Sequence, residues 1–221
     1  MHGPRIGRAL CAVLLLMAVS ACSHAIPINP TIVESSGPPR VAASIGVYFS
    51  EEFRTFEHSG SRGGDSWVFP LGPASVGLFT KVFDQVFERA ETVQTLPPLG
   101  PEHAELVVVI EPRIEEFDFH IPFLKTQTYT ADITYRFVLH SASGEAVASW
   151  TVTGEGAKRG SFGFDFSKWP GQAADAALED AARKFSEGIL NVPEVRRWLK
   201  GRGLLISYSV SPDRLTTAGG S

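Results

Sequence analysis

The chain has 221 residues, two cysteines, a net charge of −4 and 43% hydrophobic residues. That length suits one domain with room for a core; the mild negative charge gives no basic footprint for nucleic acid, and ordinary apolar and charged fractions exclude a fibrous or disordered chain. Beyond the N-terminus no apolar run approaches the ~18 residues of a membrane-spanning helix.

Arg5 and Arg8 form a short positive region, and Ala9–Val19 an uncharged apolar run of about a dozen residues, the length of a secretory signal core and too short to cross a bilayer. Val19-Ser20-Ala21-Cys22 then has the form of a bacterial lipobox: small residues admit the peptidase, and the thiol takes diacylglycerol as a thioether. Residues 1–21 are therefore expected to be a signal peptide and Cys22 the lipidated first residue of the mature protein. Cysteine counting agrees, because Cys11 leaves with the signal and Cys22 remains without an internal partner. Two or three acyl chains hold firmly where one is marginal. Ser23, not Asp, at the next position favours the outer membrane by analogy with enterobacterial sorting, with the protein facing the periplasm.

Residues 22–40 are rich in Pro and Ser and read as a flexible tether. The first strand lies within 41–50, with Ile45, Val47 and Phe49 on one face. Residues 57–73 read as a Gly-rich loop. A helix is expected over 74–92, with Val76, Phe79, Val82, Phe83, Val86, Phe87 and Ala90 as its stripe. Glu105–Phe119 is the second strand. Residues 126–140 alternate most cleanly, with Tyr129, Ala131, Ile133, Tyr135, Phe137 and Leu139 on the buried side. Ser141–Gly144 is a hairpin loop, and Glu145–Gly154 returns with Ala146, Ala148, Trp150 and Val152 inward. Residues 155–171 read as a second loop. A helix over 172–190 shows Ala174, Ala177, Leu178, Ala181, Phe185 and Ile189 on one stripe, with Glu179–Arg183 and Asp180–Lys184 as four-step pairs. A short helix over 194–200 and an edge strand over 204–210 follow, and 211–221 is a polar tail. The expectation is a single α+β domain over 41–210, a two-layer sandwich: a mainly antiparallel sheet of about four strands, in the order β-α-β-β-β-α, with two helices on one face.

The lipobox, the proline-rich tether and this element order resemble small outer-membrane lipoproteins: the YajG-like proteins, the auxiliary lipoproteins of ABC-type lipid transporters and the LptE-like lipopolysaccharide-assembly lipoproteins. The residues that carry the resemblance are Ile45-Gly46-Val47-Tyr48, the strand over 129–139 with its Ser-Ala-Ser-Gly turn, and the helix over 173–185. It implies a non-enzymatic accessory protein that binds envelope partners.

The chemistry-bearing residues form no nucleophile–base pair and no His or Cys pair at ligand spacing. Alternation puts Glu116, Asp118 and His120 on one face of their strand and Glu111 and Glu115 on the other. The first face reads either as the wet side of a sheet or as a divalent-cation or hydrolytic site. Asp132, Arg136 and His140 read as cross-strand partners of these acids. Gly60–Asp65 is glycine-rich but lacks the Gly-Lys-Ser/Thr ending of a phosphate loop. The unusual segment is 156–170, where Phe162, Phe164, Phe166 and Trp169 stand near Lys158 and Arg159; with Trp67 these read either as a surface for a partner or lipid headgroups or as a cap on the core. The expectation is a lipid-anchored accessory module of an envelope transport or assembly system, without cofactor or metal, held to the membrane by its lipid and bound to an envelope protein. A lipid or lipopolysaccharide carrier and a periplasmic hydrolase are the alternatives.

Overall fold

The computed structural model describes residues 24–32, 40–62, 65–121, 126–161 and 168–204. The expected signal peptide, Cys22, Phe162, Phe164, Phe166, residues 205–210 of the last expected strand, and the tail lie outside the described residues.

The elements in chain order are β1 (His24–Ala25), β2 (Val41–Tyr48), α1 (Glu51–Arg54), β3 (His58–Arg62), β4 (Asp65–Phe69), α2 (Leu71–Val86), β5 (Phe87–Val93), β6 (Val108–His120), β7 (Thr126–Ser141), β8 (Ala146–Ser161), α3 (Lys168–Gly188) and α4 (Pro193–Gly201). The class is α+β, but the strands form two sheets, one of five in the order β5-β2-β6-β7-β8 and one of three in the order β1-β4-β3. The larger sheet is mixed, since β2 runs parallel to both β5 and β6 while β6, β7 and β8 are antiparallel.

Strand β7 follows its alternation: Tyr129, Ala131, Ile133, Tyr135, Phe137 and Leu139 are all buried, while Asp132 and Arg136 are exposed. Both long helices cover this buried face. The Phe79 ring of α2 meets Tyr135 at 4.8 Å and Phe137 at 5.3 Å, and Phe185 of α3 meets Phe137 at 4.5 Å and Phe83 at 5.3 Å. Burying each such ring contributes about 1.5–3 kcal/mol. The Tyr135 hydroxyl would be orphaned in this core but lies 2.6 Å from Ser75 Oγ, and burial pushes its pKa up. On β8, Ala148 is buried and Trp150 and Val152 half-buried, while Ala146 is exposed.

Three stretches differ from expectation. Helix α2 begins at Leu71 and ends at Val86, where Phe87 leaves helical backbone (φ −107°, ψ 156°) and starts β5. Val86, Phe87 and Ala90 fit a helical stripe over so short a stretch, but pairing with β2 decides the outcome, and Glu88, Arg89 and Glu91 suit an edge strand. The Gly-rich stretch after Glu57 is a hairpin, with His58 opposite Phe69 and Gly60 opposite Trp67. Trp67 lies across Gly60, where a Cβ would stand 2.5 Å from its indole nitrogen, so the glycine makes room for a ring. Finally, β8 continues to Ser161 and α3 starts at Lys168, which removes most of the expected second loop.

Candidate interaction surface

The described part of the expected tether, residues 24–32, lies on the domain as a strap. Its first two residues pair parallel with β4, His24 opposite Trp67 and Ala25 opposite Val68. The Ile26 amide donates to the Val68 carbonyl at 2.8 Å, and the Ile26 side chain is buried in the core. The strap then runs along α3. The Pro27 carbonyl lies against Gly171, the Asn29 amide donates to Asp175 Oδ1 at 2.7 Å, and the Thr31 amide donates to Glu179 Oε1 at 2.6 Å. Two extended residues advance about 6.6 Å and four helical residues about 6 Å, so chain and helix keep step. Burial raises the Asp175 pKa, with the bond from Asn29 opposing it. Glu179 is thus committed to the strap, and Arg183 bonds Asp180 and Glu187 instead; Lys184 pairs with Asp180 at 2.8 Å.

The strap's N-terminal end emerges beside the first turn of α3, where the basic residues gather. Lys168 is exposed, with its ammonium 5.2 Å from the Trp169 ring centre. Trp169 is half-buried across Gly160, where a Cβ would stand 2.7 Å from its Cδ1. Lys158 and Arg159, exposed, precede Gly160 on β8. The structure therefore brings Lys158, Arg159, Lys168 and Trp169 to one end of the domain. Trp67, expected with them on the surface, is buried at 7% exposure and belongs to the core; the ring packed over Gly60 has no outward face to offer.

Below this end, α3 lies directly on β8. A Cβ at Gly156 would stand 2.5 Å from the Ala177 amide nitrogen, and one at Gly154 2.6 Å from that of Ala181. Glycine on the strand and alanine on the helix let the two backbones touch.

The other face of the large sheet is polar. A bulge between Ile114 and Glu116 resets the alternation of β6. Ile110 and Ile114 before it, and Phe117 and Phe119 after it, pair with inward residues of β7, so Glu111, Glu115, Glu116, Asp118 and His120 share the outer face. The expected split between two faces is thus corrected; the shift of apolar positions from even to odd numbers was the signal for the bulge. Glu111 is buried yet satisfied: Arg113 Nε reaches Oε1 at 2.9 Å, and Arg113 Nη2 and His140 Nε2 reach Oε2 at 3.1 and 3.0 Å. Arg136 bonds Glu115 at 2.5 Å. Asp132 stands opposite Asp118, not opposite a cation. Among the described residues no group of three His, Cys, Asp or Glu is placed to hold a metal ion, and no helix is long and apolar enough to cross a membrane. Where the two sheets meet, the His58 ring packs edge-on to Phe117 at 5.0 Å; burial lowers its pKa and Asp118 opposes.

These features define a small α+β domain with a docked N-terminal strap, a basic end and a polar outer face. Its fold is that of a Xanthomonas campestris protein of family DUF330, with a TM-score of 0.51 at 12% identity over 80% of this chain and 98% of that one. A minor lipoprotein from Acinetobacter baumannii aligns less closely, with a TM-score of 0.38 at 10% identity over 72% of this chain and 96% of that one. No family model matches the chain, and no curated protein does.

Proposed function

We propose that this chain is a lipid-anchored accessory lipoprotein of the outer membrane, facing the periplasm, that binds a partner of an envelope transport or assembly system and catalyses no reaction. The observation that carries the reading is the Val19-Ser20-Ala21-Cys22 box, followed one residue later by a chain built into the fold. The backbone contact of α3 with β8 at Gly154 and Gly156 favours a closed binding module over a lipid carrier, because that seam has no space for an acyl chain. Lys158, Arg159 and Trp169 are the residues offered to a partner or to headgroups. The test is crosslinked recovery of wild type and Cys22→Ala from membranes, with mass spectrometry of what accompanies each. Recovery of a transport or assembly protein with wild type and its loss with Cys22→Ala is the expected result. Membrane retention of Cys22→Ala with unchanged companions would overturn the reading.

A further inference from the structure

We propose that the basic end of the domain, formed by Lys158, Arg159 and Lys168 around Trp169, sits directly on the anionic headgroups of the membrane that holds the anchor. The inference rests on lipid attachment at Cys22. A free tether over residues 22–40 would let the domain wander by about 25 Å. The described strap forbids this, because the chain is fixed from His24 onward by the β1–β4 pairing, by buried Ile26 and by the bonds of Asn29 and Thr31 to Asp175 and Glu179. From His24 back to Cys22 are two residues, a reach of at most about 7 Å. The strap climbs α3 from Gly171 toward Glu179, so its free end points past the N-terminus of that helix. The exposed Lys168, Lys158 and Arg159 stand at that same end. The exposed acids Asp118, Asp132 and Glu155 form one row across β6, β7 and β8 on the inward side of the basic residues, with Glu155 three residues, about 10 Å, from Lys158. Anchor reach thus selects the orientation, and the basic residues are the outermost charges on the side that faces the leaflet.

The measurement uses the mature acylated protein in vesicles containing phosphatidylglycerol and a headgroup-labelled energy acceptor. Cys22 sulfur is consumed by the thioether and Cys11 departs with the leader, so one introduced cysteine is the sole free thiol. Thr128→Cys lies at the basic end and Ala142→Cys in the β7–β8 turn; both positions are exposed and about 45 Å apart along β7. A donor dye at Thr128→Cys should transfer energy several times more strongly than one at Ala142→Cys. A twelve-residue Gly/Ser insertion between Ser23 and His24 should abolish that difference. Charge reversal at Lys158, Arg159 and Lys168 should weaken seating about fivefold or more per residue. Equal transfer from both positions in protein shown by intact mass to be acylated would overturn the seating and leave the lipoprotein reading intact. An unmodified Cys22 in the same mass measurement would overturn both.

Discussion

Replacing Gly156 with valine attacks the seam on which α3 rests. A Cβ there would stand 2.5 Å from the Ala177 nitrogen and 3.1 Å from the Ala176 carbonyl carbon, with the Ala173 carbonyl oxygen nearer still, where ordinary van der Waals separation begins at 3.4 Å. None of these atoms is the end of a flexible side chain, so the helix must retreat by roughly 1 Å, which forfeits a quarter to a half of the dispersion energy of every atom pair it draws apart. The packing at risk is that of the buried stripe Ala173, Ala177, Leu178, Ala181 and Phe185. Overpacking typically costs about 1–3 kcal/mol, and a clash with backbone on the helix side puts this site at the upper end, a large share of a typical 5–15 kcal/mol stability. Valine's better fit to a strand returns no more than about 1 kcal/mol. The assay is urea unfolding followed by circular dichroism, with Gly77→Ala in parallel. Gly77 lies in α2 with open space where a Cβ would go, so that change should stabilise by about 0.5–1 kcal/mol. A loss of under about 1 kcal/mol for Gly156→Val would show that helix and strand do not touch there.

Phe83→Ala and Phe137→Ala should each cost about 3–5 kcal/mol in the same assay, because both rings are fully buried between helix and sheet. Asp175→Ala combined with Glu179→Ala should speed hydrogen exchange at the Asn29 and Thr31 amides while costing less than about 2 kcal/mol overall. Unchanged exchange there would mean that the strap is not held by α3. The lowered pKa of His58 means that the folded state binds this proton more weakly than the unfolded chain does, so its contribution to stability is full above pH 6.5 and is lost as pH falls below it. His58→Phe should therefore lose less stability than wild type between about pH 7.5 and pH 5.5.

Strand β7 and helix α3 were readable from sequence because each repeats one period over many residues and buries one face. The failures share a cause. Residues 87–93 place Phe87, Ala90 and Val93 at helical three-residue steps, yet pairing with β2, which lies far away in sequence, makes them a strand. The glycines at 60, 156 and 160 fell in stretches expected to be loops, yet each, like Gly154 at the end of its expected strand, makes room for a ring or a helix backbone packed against it. The proline-rich segment at 24–32 has no period because its partners alternate between a strand edge, a core pocket and a helix face. Lys158 and Arg159 were visible beside Trp169; that the strap ends near them and Lys168 was not, since it depends on hydrogen bonds that span more than 140 residues.

Covalent lipid at Cys22 is the step on which both membrane anchoring and the seating of the basic end depend. Cells fed a clickable palmitate analogue should label the wild-type chain and leave Cys22→Ala unlabelled, with the variant appearing as a slower-migrating precursor or as a soluble product. Equal label on the two chains would contradict the account.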